Sequence, residues 1–193
     1  MSNPNLLIIG GPNGAGKSTI SRTLLSGAFG KCHYVNADAI ARGLSAFHAD
    51  EMAVKAGKVM LQHLRELAAE RVNFAFETTL GSRTFARWIA ELKQTGYAFH
   101  LFFVWVPSAE VSIQRVQGRV KAGGHFVPDE TVRRRYQRGL ENFFNLYEPL
   151  ADSWKMYNNL NLENPSLIAE KSGTIETVHD EALWDSIRRG VAK

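Results

Sequence analysis

The chain has 193 residues, 45% of them hydrophobic and 22% charged, which is enough apolar material to fill the core of one ordinary domain. The single cysteine, Cys32, excludes an intramolecular disulfide and a cysteine-based zinc site, and no apolar run approaches the roughly 20 residues that cross a bilayer. Residues 1–5 lack the basic start of an export signal, so the expectation is a cytoplasmic protein without membrane contact.

Residues 6–9, Leu-Leu-Ile-Ile, read as a central strand buried on both faces and broken by Gly10-Gly11. A helix is predicted over 17–26, a short strand over 33–35, and an amphipathic helix over 45–71, where Met52, Ala56, Val59, Met60, His63, Leu64 and Leu67 follow the 3.6-residue period. A strand over 72–76 precedes a helix over 84–95 that closes at Gly96, then a strand over 98–106 and a helix opening at Pro107-Ser108. Residues 122–125 form the clearest interior break, read as a mobile loop. After it, Pro128-Asp129-Glu130 starts a helix with Val132, Tyr136, Leu140, Phe143 and Tyr147 on one face. Weaker strand signals fall at 154–157 and 166–170, and a last helix at 180–189. Strands alternating with helices predict an α/β fold of three layers, a mostly parallel central sheet with helices on both faces.

Gly11-Pro12-Asn13-Gly14-Ala15-Gly16-Lys17-Ser18 matches G-x-x-x-x-G-K-[ST] at every fixed position, after a strand and before a helix. Glycines let backbone N–H groups turn inward around phosphates, and the helix N-terminus adds partial positive charge. The motif predicts ATP bound by residues 11–19, Thr19 included, with Lys17 on the β- and γ-phosphates and Ser18 on Mg²⁺.

The loop specifies a nucleotide and not a reaction. No N-K-x-D tetrapeptide reads guanine, and no L-S-G-G-Q-like signature marks a transporter ATPase. What remains is the pattern of a small phosphotransferase acting on a small-molecule hydroxyl acceptor. Asp38, just past the second strand, is the candidate general base, because in-line transfer needs a carboxylate to take the proton of the attacking hydroxyl; its other role would be to cap the following helix. Glu77 lies just past the 72–76 strand, where it can meet the acceptor or a metal-bound water. The formal charge of +4 is concentrated between residues 115 and 138, with seven basic residues against Asp129 and Glu130. Such a local excess fits a clamp on a polyphosphate better than a stripe along a duplex, which disfavours a nucleic-acid partner. Arg119 is the first candidate for charge neutralisation at the transferring phosphoryl group.

Four stretches in order, Gly10 through Thr19, Asn36-Ala37-Asp38, Phe76-Glu77-Thr78-Thr79, and Gly123-Gly124-His125-Phe126-Val127-Pro128 followed by Arg133-Arg134-Arg135-Tyr136, resemble the zeta toxin family of kinases in its short members. The resemblance covers about residues 5–147. It implies one P-loop kinase domain over 1–193 with an Arg-rich lid at about 119–135, and phosphorylation of UDP-N-acetylglucosamine or another sugar nucleotide by ATP and Mg²⁺. It further implies Asp38 as base, Asn36, Glu77 and Thr79 in the acceptor pocket, Arg119 and Arg135 at the phosphates, and an antitoxin protein as a partner. Two alternatives stay open: a nucleoside, nucleotide or antibiotic kinase of the same fold, and a non-catalytic ATP-binding regulatory module in which Asp38 only caps a helix.

Overall fold

Leu6, Leu7, Ile8 and Ile9 can all be apolar because the strand that carries them has parallel neighbours on both edges and helices over both faces. In the computed structural model, which describes residues 3–26, 32–45 and 52–191, β1 (Asn5–Gly10) pairs in parallel with β3 (Phe74–Thr78) and β4 (Ala98–Trp105). The full order is β2-β3-β1-β4-β5-β6-β7, with β2 (His33–Val35) and β5 (Ser153–Asn158) also parallel to their neighbours and β6 (Ser166–Ser172) and β7 (Ile175–Val178) antiparallel at the far edge.

The two-residue period of the strands divides the core into layers. Leu6 and Ile8 join Phe74, Phe76, Phe99 and Leu101 on one face, under α3 (Ala53–Ala69), α4 (Thr84–Gln94), the π-helical turn Phe143–Tyr147 and α7 (Glu181–Val191). Leu7 and Ile9 join Ala75, Phe102 and Val104 on the other, under α1 (Lys17–Ser26) and the start of α5 (Ala109–Lys121). Each fully buried Leu, Ile or Phe among them contributes on the order of 1.5–3 kcal/mol relative to exposure. The sheet is therefore the rigid frame, and every loop at its carboxyl edge is hung from it.

Several helix ends were legible as residues. Ser108 accepts from the Val111 N–H at 3.2 Å at the start of α5, and Asp180 accepts from Leu183 at 3.0 Å at the start of α7. Gly96 follows α4 in the left-handed conformation, with its N–H and that of Tyr97 returned to the carbonyls of Lys93 and Leu92. Three expectations are corrected. The helix expected over 45–71 is α3, which runs from Ala53 to Ala69; Ser45 instead closes α2 (Ala37–Leu44), and residues 46–51 lie outside the described residues. The strand expected at 72–76 runs from Phe74 to Thr78. The reason is that Arg71, at φ +55°, and Val72 close the end of α3, where their N–H groups donate to Ala68 and Leu67, so an apolar Val72 serves the helix cap. Finally, β7 escaped prediction because Ile175, Glu176 and Thr177 are exposed and carry no burial pattern. Among the described residues no helix is long and apolar enough to cross a membrane.

Between α5 and α6 (Asp129–Asn142) the chain is pinned at both ends. Gly123 and Gly124 return their N–H groups to Val120 and Arg119, and Val127, 3% exposed, packs with Ile113, Val116 and Val132.

Candidate active site

The phosphate loop joins β1 to α1, and its glycines answer close approaches as well as backbone conformation. A Cβ at Gly11, φ +140°, would stand 2.3 Å from the Val104 carbonyl, and one at Gly16, φ +91°, 2.4 Å from Asn159 Nδ2. That amide donates to the Ala15 carbonyl at 2.6 Å, while the Asn159 backbone N–H donates to Trp105 at 2.9 Å. Asn159 is 1% exposed and stands just beyond β5. It is a support of the loop that sequence reasoning missed. The available signal was an asparagine at the carboxyl end of a strand in a sheet whose carboxyl edge borders ligands.

Lys17 donates to the carbonyls of Gly11 and Pro12, both at 2.8 Å, which uses two of its three protons and leaves one for a phosphate. Burial pulls its pKa down to about 8; Glu77 and Asp38 oppose that shift, and Arg119 and Arg135 reinforce it.

Glu77 is the last residue but one of β3, beside the loop and in register with Ile9 of β1. Ser18 Oγ donates to its Oε2 at 2.9 Å, Ser21 Oγ donates to Oε1 at 3.0 Å, and the Tyr34 hydroxyl donates to the same Oε1. Burial pushes the Tyr34 hydroxyl up to about 12, so it remains a donor across the physiological range. Asn36 Nδ2 donates to Tyr34 at 3.4 Å, and its Oδ1 accepts from the Ala39 N–H at 3.1 Å. Asn36 is thus the N-cap of α2, and the reading of Asp38 as the cap is corrected: the helix starts at Ala37, one residue before Asp38, which sits exposed in its first turn. The capping role is filled elsewhere and the Asp38 carboxylate is left to solvent and ligands.

The loop after β3 is held from outside. Leu80 takes φ +55°, a conformation that costs a branched side chain on the order of 1–2 kcal/mol, offset by complete burial of that side chain. Asn142 Nδ2 donates to the Leu80 carbonyl at 2.6 Å, the Tyr147 hydroxyl donates to the Ser82 carbonyl at 2.8 Å, and Gly139 leaves room for the Thr79 carbonyl, which a Cβ there would meet at 2.3 Å. The Thr79 hydroxyl accepts from the Gly81 N–H at 3.4 Å.

The arginines do not converge as one cluster. Arg135 reaches from α6 to Asn13 Oδ1 at 3.4 Å, so it bridges toward the phosphate loop, and Asp38 acts electrostatically on it. Arg119 donates to the His125 carbonyl at 3.0 Å. Arg133 pairs with Glu110 at 3.3 Å in solvent, and Arg134 turns to Thr131 at 3.5 Å. Arg115 donates to the Leu160 carbonyl at 2.8 Å. Ser18, Glu77 and Asn36 are therefore hydrogen-bonded directly or through Tyr34, Lys17 senses Glu77 and Asp38 electrostatically, and Arg135 reaches the phosphate loop from the side. Tyr136 is half-buried with its hydroxyl on the Val106 carbonyl at 2.8 Å.

The family model described as Zeta toxin matches residues 1–161. An uncharacterized protein of Haemophilus influenzae is 27% identical over 126 residues, 65% of this chain and 88% of that protein. The AvrRxo1-ORF1:AvrRxo1-ORF2 structure with sulphate ions superposes with a TM-score of 0.78 at 16% identity, over 96% of this chain and 63% of that one; the structure with ATP gives the same score over 64% of its chain. This chain thus spans just under two thirds of that relative's length. The PezAT toxin-antitoxin system of Streptococcus pneumoniae superposes at 0.68 and 17% identity, over 96% of this chain and 78% of that one. At such identities the structural likeness carries the fold alone, a P-loop kinase fold.

Proposed function

We infer, because this chain belongs to the zeta toxin family, that it is an ATP- and Mg²⁺-dependent kinase that transfers the γ-phosphoryl group to the hydroxyl of a small acceptor, a sugar nucleotide such as UDP-N-acetylglucosamine being the first candidate. The observation that carries this reading is a complete phosphate loop whose Lys17 is acted on electrostatically by Asp38, a carboxylate in the first turn of α2 that is free of the capping duty. Residues 11–19 bind the triphosphate, and Lys17 sets its remaining proton on the β- and γ-oxygens. The Ser18 hydroxyl, exposed and 2.9 Å from a carboxylate oxygen, provides the all-oxygen surroundings that suit magnesium, and Ser18 would hold the ion. When bound, Mg²⁺ supplies charge neutralisation between the phosphates. Asp38 accepts the proton of the acceptor hydroxyl as its oxygen attacks the γ-phosphorus and ADP leaves. Arg135 and Arg119 offset the charge that develops, Asn36 and Thr79 border the acceptor, and residues 119–135 act as a lid over a single kinase domain. The family also supports a protein antitoxin as a partner.

ADP release from ATP and Mg²⁺ across nucleotide sugars, nucleosides and small alcohols tests this. One acceptor is expected to stimulate release, and Asp38→Asn to reduce the stimulated rate by about 10²–10⁴. ATP binding without acceptor-dependent turnover would sink the kinase reading in favour of a regulatory nucleotide-binding module.

A further inference from the structure

Arg133, Arg134 and Arg135 are consecutive, and only the last of them reaches the phosphate loop. Arg135 donates to Asn13 Oδ1 at 3.4 Å, whereas Arg133 pairs with Glu110 at 3.3 Å and Arg134 turns back to Thr131 at 3.5 Å. Successive residues of a helix differ by about 100° in direction, so a rotation of α6 by one position would exchange them. Nothing within the run prefers one arginine over its neighbours, and the rotation of α6 has to be fixed by contacts outside the run.

Those contacts share the face of α6 that carries Arg135. Gly139 admits the Thr79 carbonyl, which a Cβ there would meet at 2.3 Å, and Asn142 Nδ2 donates to the Leu80 carbonyl at 2.6 Å. These two fasten the second half of α6 to the loop after β3. Beside Arg135 itself the fastening is Tyr136, whose hydroxyl donates at 2.8 Å to the carbonyl of Val106, the residue that follows β4. Burial pushes this hydroxyl up to about 12, against the pull of the Trp105 indole N–H beside it, so it remains a donor across the physiological range. That indole N–H is itself buried and has no other partner among the described residues. The phosphate loop packs on the same strand end, since a Cβ at Gly11 would stand 2.3 Å from the Val104 carbonyl. Tyr136 therefore ties α6 to the strand end on which the phosphate loop rests.

We propose that Tyr136 is a positioning residue that selects Arg135 from the run 133–135, by holding the rotation of α6 so that Arg135, and not Arg134, meets the terminal phosphate of the nucleotide. This inference rests on the reading that places Arg135 at the phosphates, and its test separates the two. The affinities of the full chain for AMP-PNP and for ADP, each with Mg²⁺, are measured by calorimetric titration for wild type, Tyr136→Phe, Arg134→Ala, Arg135→Ala and the Tyr136→Phe, Arg135→Ala double variant. The ratio of the two affinities isolates the terminal phosphate, because a partly unfolded population weakens both nucleotides alike. Tyr136→Phe keeps the ring and removes one neutral hydrogen bond, and is expected to lower the preference for AMP-PNP about three- to tenfold. Arg135→Ala should lower it further, Arg134→Ala should leave it within about twofold, and the double variant should match Arg135→Ala, because a positioning residue has no effect once its target is gone. A preference unchanged in Tyr136→Phe, or losses that add in the double variant, would overturn the proposal. An unchanged preference in Arg135→Ala would remove Arg135 from the phosphates and the proposal with it, and a wild-type chain that binds neither nucleotide would overturn the kinase reading itself.

Discussion

The phosphate loop and the loop after β3 flank the same site and are built by opposite means. The first is a contiguous run whose backbone N–H groups, glycines and lysine carry their chemistry in sequence order, with Asn159 as its distant brace. The second, residues 79–82, has little local preference for its shape and is held by Gly139, Asn142 and Tyr147 from α6 and the π-helical turn. A π-helical turn is uncommon and recurs near functional sites, and here it brings the Tyr147 hydroxyl to the Ser82 carbonyl. The two loops are thus braced by different residues, and the second depends on helices far along the chain.

Breaking the second loop should have the largest effect. Gly139→Ala would place a methyl group 2.3 Å from the Thr79 carbonyl, an overlap with backbone that cannot rotate away. A loss of about 1–3 kcal/mol in denaturant unfolding is expected, with acceptor half-saturation rising more than ATP half-saturation. The two buried asparagines give a sharper contrast. Asn159→Leu orphans the Ala15 carbonyl and Asn142→Leu the Leu80 carbonyl, each at about 1–3 kcal/mol. Calorimetric titration is expected to show weakened ATP binding in the first variant and near-normal ATP binding in the second; equal losses in both would mean that the two loops are one unit.

Lys17 makes a pH test of the phosphate loop. Its folded pKa is about 8, below the unfolded value of 10.5, so the cost of burying its charge is present in full below pH 8 and is relieved as pH rises from 8 to 10.5. A bound phosphate favours the protonated form, so nucleotide affinity should be level below pH 7 and fall by up to about tenfold per unit above 8. The two dependences have opposite sign, and Lys17→Met should abolish both; an affinity that stays flat to pH 9.5 would contradict the assignment. The smallest effect is expected at Arg133. Its partner Glu110 is exposed, and Arg133→Ala should leave the denaturant midpoint unchanged and turnover within about twofold.

What the residues made legible follows from how local each signal is. The continuous apolar run Leu6 to Ile9, the complete G-x-x-x-x-G-K-S run, the helix start at Ser108 and the glycine stop at Gly96 each act within a few residues of themselves, and each stands in the structure as read. Asp38 could be read as base or as cap because Asn36 and Asp38 are both good capping residues, and only the backbone path from β2 selects the earlier one as the cap. Val72 looked like strand because an apolar β-branched residue carries that preference wherever it stands, and the closing turn of α3 overrode it. The pairing of Glu77 with Ser18, Ser21 and Tyr34, and of Asn159 with Ala15, spans 43 to 144 residues. No periodicity or motif encodes such distances. Sequence alone determined the phosphate loop, the central strands and the residues able to take part in chemistry; the sheet order, by setting β3 against β1 and the end of β5 against the loop, decided which of them meet.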